Sequence, residues 1–140
     1  MSRFFSAKYK SLMPYVPGEQ PRDRKYLKLN ANESPFPPSP RAVEYASEAA
    51  NLLNLYPDPE CAGLTVRIAE LCDVAPEEVL VAGGSAAILN LAFMAFCDRY
   101  HPAAFPEVTC GLYRVLAELN GVPFKEVPLE EDFTVRAEEY

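Results

Sequence analysis

A glycine-rich turn is the part of the sequence whose residue types most directly suggest chemistry. Gly83-Gly84-Ser85 follows a short apolar run, Val79–Ala82, and precedes a hydrophobic segment with helical character. Glycines let a backbone approach a ligand closely, and the start of a helix offers unpaired N–H donors at the positive end of its dipole. The Ser85 hydroxyl adds one more donor. These residues alone leave two interpretations open: a phosphate-binding turn, or a tight turn in which Ser85 merely caps the helix.

Nucleotide and nucleic-acid binding are disfavoured by motif and by charge. The chain has neither a G-x-G-x-x-G fingerprint after a strand nor a G-x-x-x-x-G-K-[ST] loop. A nucleotide-binding Rossmann domain is therefore not expected. The formal net charge of −7 repels phosphate backbones, so we expect no nucleic-acid partner.

The segments that position the glycine turn alternate between strands and helices. From Val79 onward the pattern predicts a strand at Val79–Ala82, a buried helix at Ala86–Cys97, a strand at Ala103–Phe105, a helix at Cys110–Asn120 and a strand at Val122–Val127. Such β-α-β-α-β units form parallel sheets with right-handed crossovers. Three strands leave open sheet edges, and a new element begins within Leu129–Tyr140, so we expect an incomplete fold.

The N-terminal part has a different character, because seven of the 14 prolines fall in the first forty residues. Proline lacks a backbone donor, so Met13–Pro40 is predicted to be an extended arm with one short strand at Tyr26–Leu29. Ser39 followed by Pro40 predicts the start of a first helix. A second helix is predicted at Glu60–Cys72. The predicted division is an arm at residues 1–38 and a partial α/β domain at residues 39–140.

Several motifs occur in an order that resembles a known family. They are Lys28–Pro35 (KLNANESP), Leu55–Pro59 (LYPDP), Gly84-Ser85 and Phe105–Thr109 (FPEVT). In this order they resemble the N-terminal part of histidinol-phosphate aminotransferases, which are pyridoxal 5'-phosphate enzymes of the fold-type I group. The resemblance covers essentially the whole chain. It implies an α/β fold made of an N-terminal arm and the first βαβαβ portion of the large domain of a fold-type I transferase.

The resemblance also implies roles for individual residues. Gly84 and Ser85 match the turn that holds the cofactor phosphate, and Tyr56 matches a tyrosine that crosses the dimer interface to the partner's cofactor. The arm is implied to pack across the dimer and to line the substrate end of the pocket. The residues matched to that end are Tyr15, Asn30, Asn32 and Glu33.

Three departures from the family pattern bear on function. Ala86 stands where the family has an acidic residue at the phosphate end, and Cys110 stands where it has an aromatic that stacks on the cofactor ring. A thiol offers less contact area than a ring, so weak or absent cofactor binding is expected. The third departure is that the family's Schiff-base lysine, pyridine-binding Asp and carboxylate-binding Arg lie beyond Tyr140. No catalytic residue is therefore predicted within the chain, which we expect to be inactive alone.

The functional hypotheses follow from these implications. The first is a truncated or split aminotransferase that moves an amino group between glutamate and imidazole-acetol phosphate, as a homodimer or with a missing C-terminal half. A threonine-phosphate decarboxylase-like lyase of the same fold, which would likewise take a phosphorylated amino-acid substrate, stays open. The alternative from another class is a degenerate, non-catalytic binding or interaction module.

The hydrophobic runs, the cysteines and the one histidine bear on cellular compartment and on metal binding. No apolar run approaches a membrane span, and Met1–Lys10 lacks a signal-peptide core, so a cytoplasmic location is expected. The four cysteines are too widely and irregularly spaced for a zinc or redox motif. Cys72 and Cys97 are interpreted as small apolar residues on buried helices. His101, the one histidine, is interpreted as a solvated loop residue.

Overall fold

The computed structural model describes residues 3–10 and 12–140. These residues form two compact units, the arm–helix unit (Pro17–Val81) and the sheet unit, which joins the described residues up to Val16 with Ala82–Tyr140. The helices are α1 (Pro40–Ala49), α2 (Ala62–Cys72), α3 (Ser85–Phe96) and α4 (Leu112–Asn120), and the strands are β1 (Ala103–Pro106) and β2 (Phe124–Val127). Short 3-10 helices lie at Ala7–Tyr9, Ala50–Leu52, Pro76–Glu78 and Ala137–Glu139. The fold is thus mixed α/β, as predicted.

Helix α1 begins where its local sequence predicts. The Ser39 hydroxyl accepts a hydrogen bond from the Ala42 N–H at 3.2 Å, and Pro40 occupies the first helical position. The capping oxygen satisfies a donor that has no partner within the helix, and proline has no donor to lose there. The predicted start of α1 is confirmed.

The predicted strand at Tyr26–Leu29 is wrong. The segment is not paired with any strand in the part of the chain that the structure describes, and its leucines, Leu27 and Leu29, are exposed. A strand is stable only when a neighbouring strand accepts and supplies its backbone hydrogen bonds. The division at residue 38 stays a prediction about the complete protein.

The sheet unit contains a parallel pair of strands joined by α4. Ala103 lies opposite Phe124, and the register runs on to Pro106 opposite Val127. Gly121 ends α4 with a φ of 68°, and its N–H donates to helix carbonyls. Positive φ suits glycine because it has no Cβ, and the predicted end of the helix at Asn120 is confirmed.

The core of the sheet unit lies between α3, α4 and the chain that enters β2. Phe93, Leu116, Ala117 and Val122 form its buried centre. Helix α3 was predicted to be buried on all sides, and this is wrong: Phe93 is 7% exposed, whereas Phe96 on the same helix is 80% exposed. Among the described residues, Phe93 and Leu89 of α3 pack in the core, whereas three other apolar side chains of the helix are exposed: Leu91, Met94 and Phe96.

Two further predictions are corrected by pairing and burial. Val79–Ala82 is not a strand, because no described strand pairs with it, and the sheet therefore has two strands instead of three. Cys72 is exposed at the end of α2, although it was predicted to be buried, while Cys97 is half-buried. None of the helices within residues 3–10 and 12–140 is long and apolar enough to cross a membrane.

Candidate functional site

Gly84 gives the glycine turn its unusual backbone geometry. Its φ and ψ are 100° and 167°, a combination that is essentially restricted to glycine. Its N–H donates to the Ala82 carbonyl at 2.8 Å, and its own carbonyl accepts from Ala87 N–H at 3.1 Å. An added Cβ would meet no atom within 4 Å, so the space beside Gly84 is open. The restriction is therefore set by the backbone alone, and it bends the chain sharply into α3.

The first turn of α3 presents free backbone donors beside Gly84. The N–H groups of Ser85 and Ala86 have no acceptor among the described residues, and no side chain caps this helix end. Both residues are exposed, as is Gly84. Two aligned N–H donors at a helix N-terminus attract an anion through their partial positive charge. The Ser85 side chain accepts no capping bond, so the interpretation of Ser85 as merely a helix cap loses its main support.

Tyr15 and Cys110 lie in the same unit, near the start of α4. Cys110 is exposed in the loop between β1 and α4, and its carbonyl accepts from Tyr113 N–H at 3.2 Å. A Cβ built on Gly111 would lie 4.0 Å from Cε2 of Tyr15, so the tyrosine ring rests against this loop. The sequence assigned Tyr15 to the arm, but the structure places it with the sheet unit. The ring therefore provides aromatic surface next to the position at which this chain has a thiol in place of an aromatic side chain.

Tyr56 belongs to the arm–helix unit and points fully into solvent. Its relative exposure is 102%, and its hydroxyl has no partner in the described part of the chain. The following Asp58 anchors the turn: its carboxylate accepts from Ala62 N–H at 2.7 Å and from Glu60 N–H at 3.1 Å. An aromatic held on a rigid turn without contacts is suited to contact another surface.

Asp58 is a positioning residue that the sequence patterns above did not single out. Its carboxylate accepts from the N–H of Glu60 in the turn and from the N–H of Ala62, the first residue of α2. The signal is present in the sequence, because an Asp shortly before a helical pattern is a capping pattern. The flanking prolines, Pro57 and Pro59, indicate a rigid turn, so the sequence gives no clear sign that the Asp58 carboxylate binds the start of the next helix.

The other arm residues predicted for the site hold the arm's own conformation. The Asn30 amide donates to the Glu19 carbonyl at 2.9 Å, and the Glu33 carboxylate pairs with Lys28 at 2.6 Å. Asn32 adopts a left-handed φ of 50°, which Asn tolerates better than most residues. Asn30, together with Glu19 and Lys28, lines a groove of about 490 Å³. Asn30, Asn32 and Glu33 thus lie in one segment, but their exposed side chains form no buried polar site.

Outside the glycine turn, the described residues offer no further candidate site of charged or metal-ligating side chains. No group of three or more metal-ligating side chains exists among the residues that the structure describes. His101 is exposed and its Nδ1 lies 2.9 Å from the Asp98 carboxylate, in agreement with the solvated loop role. Hydrogen bonds from Thr134 lower the pKa of Asp132 below its ordinary value. The chemistry suggested by the described residues is therefore anion binding at the start of α3.

Comparisons with known proteins converge on one family. The family model described as aminotransferase class I and II matches residues 24–140. A histidinol-phosphate aminotransferase from Marinomonas sp. is 46% identical over 141 residues, which cover 100% of this chain and 40% of that protein. A relative of the same name from Clostridium acetobutylicum is 43% identical over 136 residues. These residues cover 96% of this chain and 39% of that protein.

A solved structure supports the same fold. The crystal structure of a protein assigned as a histidinol-phosphate aminotransferase from Erwinia carotovora atroseptica superposes with a TM-score of 0.68 and 25% identity. The alignment covers 74% of this chain and 30% of that one. This chain therefore spans about 40% of the length of the curated relatives that it matches.

Proposed function

Since the chain belongs to the aminotransferase class I and II family, we propose that it supplies the cofactor-phosphate turn and the dimer arm of a histidinol-phosphate aminotransferase. The observation that carries the proposal is the 46% identity to a protein of that name along the whole of this chain. The complete enzyme would move an amino group between glutamate and imidazole-acetol phosphate, as a homodimer in the cytoplasm.

The glycine turn fits the phosphate of pyridoxal 5'-phosphate. Gly84 leaves open space beside the backbone, and the N–H groups of Ser85 and Ala86 are free to donate to phosphate oxygens. The Ser85 hydroxyl adds a third donor, and the α3 N-terminus carries partial positive charge. Ala86 contributes only its backbone, because a methyl group replaces the acidic side chain expected at this position. The fit therefore concerns the phosphate end of the cofactor.

When bound, pyridoxal phosphate supplies the electron sink that makes amino transfer possible. Under this proposal the chain's own residues bind and orient it. Tyr56, whose side chain is fully exposed, presents its hydroxyl to the cofactor phosphate of a partner subunit. Cys110 is assigned to the cofactor ring, and Tyr15, whose ring lies near the adjacent Gly111, is assigned to the substrate end. The rest of the substrate end is assigned to three arm residues: Asn30, Asn32 and Glu33.

The reacting lysine is assigned to polypeptide outside these 140 residues. Three of the five lysines have partners in the described residues: Lys28 pairs with Glu33, Lys125 pairs with Glu139, and the Lys8 ammonium lies over the Tyr9 ring. The resemblance places the Schiff-base lysine, the pyridine-binding Asp and the carboxylate-binding Arg beyond Tyr140. We therefore assign binding and orientation to this chain and proton transfer to the remainder of the enzyme.

Reconstitution tests the proposal. The full chain is produced together with the part of the Marinomonas relative that lies outside the matched segment, and glutamate-dependent amino transfer to imidazole-acetol phosphate is measured. We expect activity in the mixture and none with either part alone. The intact relative, assayed in parallel, is the positive control.

One observation favours a second candidate, a non-catalytic binding module. Ala86 and Cys110 both lack the side chains that the family uses to hold the cofactor. The same reconstitution separates the two candidates. If the two parts associate on a sizing column but neither bind pyridoxal phosphate nor transfer an amino group, the module is the correct assignment and the enzymatic proposal is wrong.

A further inference from the structure

The Asn120-Gly121 pair is a dipeptide prone to deamidation, and its Asn120 side chain also makes a contact between two helices. It is the one Asn–Gly dipeptide in the sequence, and it lies where α4 ends. Glycine adds no side chain to shield its own nitrogen from the preceding Asn side chain. In a flexible chain, that nitrogen can therefore attack the side-chain amide with little steric hindrance.

In the folded chain, hydrogen bonds engage both groups that would react, the Asn120 side-chain amide and the Gly121 N–H. The Asn120 Nδ2 donates to the Asn90 Oδ1 on α3 at 2.9 Å and to the Leu116 carbonyl at 2.9 Å. The Gly121 N–H donates to the Glu118 carbonyl at 3.2 Å. Attack requires these hydrogen bonds to break, so the folded helix pair suppresses it.

The surroundings of Gly121 do not exclude water. Gly121 is exposed, and an added Cβ would meet no atom within 4 Å. Asn120 itself is half-buried between the two helices. Local opening of the α3–α4 contact would therefore free the Asn120 amide while the glycine is already open to solvent.

We propose that Asn120 is a deamidation site whose rate is set by the Asn90–Asn120 contact and whose modification uncouples α3 from α4. Hydroxide removes the Gly121 amide proton, and the nitrogen forms a bond to the Asn120 Cγ. The Cγ–Nδ2 bond breaks, and ammonia leaves after taking a proton from water. Water then hydrolyses the resulting succinimide at either carbonyl, which gives aspartate or isoaspartate at position 120.

The product disrupts the same contact that protected the Asn. A carboxylate at position 120 cannot donate to the Asn90 Oδ1 or to the Leu116 carbonyl, and its negative charge lies at the unfavourable end of the α4 dipole. Isoaspartate also lengthens the backbone by one carbon just before the turn that places Val122, 5% exposed, in the core. Modification therefore weakens the packing of α3 on α4.

The rate is measured on a single tryptic peptide of the full chain. Cleavage after Arg114 and Lys125 releases Val115–Lys125, in which Asn120 is the one asparagine. Mass spectrometry then follows conversion of amide to acid during incubation at mildly alkaline pH. We expect the native chain to react about tenfold or more slowly than the chain in urea, because only locally opened molecules react. Equal native and urea rates, or no conversion in urea, would contradict the proposal.

Variants on α3 test the role of the contact. Asn90→Ala removes the acceptor and is expected to speed conversion several-fold, whereas Leu91→Ala, a substitution at the adjacent exposed residue, is the matched control. If Asn90→Ala reacts no faster than Leu91→Ala, the contact does not set the rate. A second measurement does not depend on the rate: Asn120→Asp should lower the urea midpoint, and adding Asn90→Ala to it should lower the midpoint little further. Full additivity of the two substitutions would overturn the uncoupling.

Discussion

Replacing Gly84 with alanine tests the structural basis of the proposed phosphate-binding turn. The Gly84 φ of 100° and ψ of 167° lie in a region that residues with a Cβ rarely occupy. Holding alanine there costs on the order of 1–3 kcal/mol. The added Cβ would meet no neighbouring atom within 4 Å, so the cost comes from backbone strain and not from a clash. Gly84→Ala should therefore either destabilise the turn or change its conformation.

The first of these outcomes lowers folding stability, and the second lowers the affinity for an anion. If the turn relaxes to relieve the strain, the N–H groups of Ser85 and Ala86 no longer converge on one ligand. The strain of about 1–3 kcal/mol then corresponds to a loss of affinity of roughly 5- to 150-fold. If the turn keeps its shape, the same free energy is lost from folding and the urea midpoint falls.

Gly83→Ala is the matched control. Gly83 lies one residue earlier, its φ is not positive, and an added Cβ would also meet no atom within 4 Å. Alanine at this position should be neutral or stabilise the fold by about 0.4–1 kcal/mol, because it restricts the unfolded chain. The two substitutions add the same methyl group to the same turn, so only backbone strain distinguishes them.

The assay uses pyridoxine 5'-phosphate, which has the phosphate and ring of the cofactor but no aldehyde. It therefore cannot form an imine with surface lysines. Tyrosine fluorescence follows binding to the full chain, and inorganic phosphate is added as a competitor. We expect wild type and Gly83→Ala to bind weakly, as Ala86 and Cys110 imply, and Gly84→Ala to bind more weakly still or unfold at lower urea. If Gly84→Ala matches Gly83→Ala in both affinity and midpoint, the reasoning is refuted. If all three fold but none binds, the turn does not bind phosphate.

Three further predictions concern stability. Asp58→Ala should lower stability by about 1 kcal/mol because the first N–H of α2, that of Ala62, loses its acceptor, whereas Asp58→Asn should retain most of it; circular dichroism during urea unfolding measures the difference. Phe93→Ala should cost about 3–5 kcal/mol because its ring is buried, while Phe96→Ala on the same helix should change stability by less than about 0.5 kcal/mol, and equal effects would contradict the assigned core. Thr134→Val should raise the pKa of Asp132 towards its ordinary value in an NMR titration; because that pKa is lowered in the folded chain, its stabilisation is present above the unfolded pKa and is lost as pH falls through the folded pKa.

The order of the local motifs along the chain is enough to predict the family. The KLNANESP, LYPDP and glycine-serine segments together indicate an aminotransferase relative, and the family comparison confirms it. Composition and periodicity alone go no further than an α/β fold with an anion-binding turn. The roles assigned to individual site residues stay predictions.

Local sequence determined where most helices begin and end. The Ser39–Pro40 start of α1 and the Gly121 end of α4 were predicted, because a cap or a positive φ depends on residues within a few positions. The glycine turn is recognisable for the same reason, since a backbone conformation that excludes a Cβ requires glycine at that position.

Tertiary structure decided what pairs, what is buried and what lies together. Val79–Ala82 has the composition of a strand but no described partner, and α3 has apolar residues all around but a neighbour on one side. The contact between Asn90 and Asn120 joins residues thirty positions apart. Tyr15 meets the loop at Gly111, far along the chain. Hydrogen-bond pairing and burial depend on surfaces that distant segments bring together, so no local pattern could have specified them.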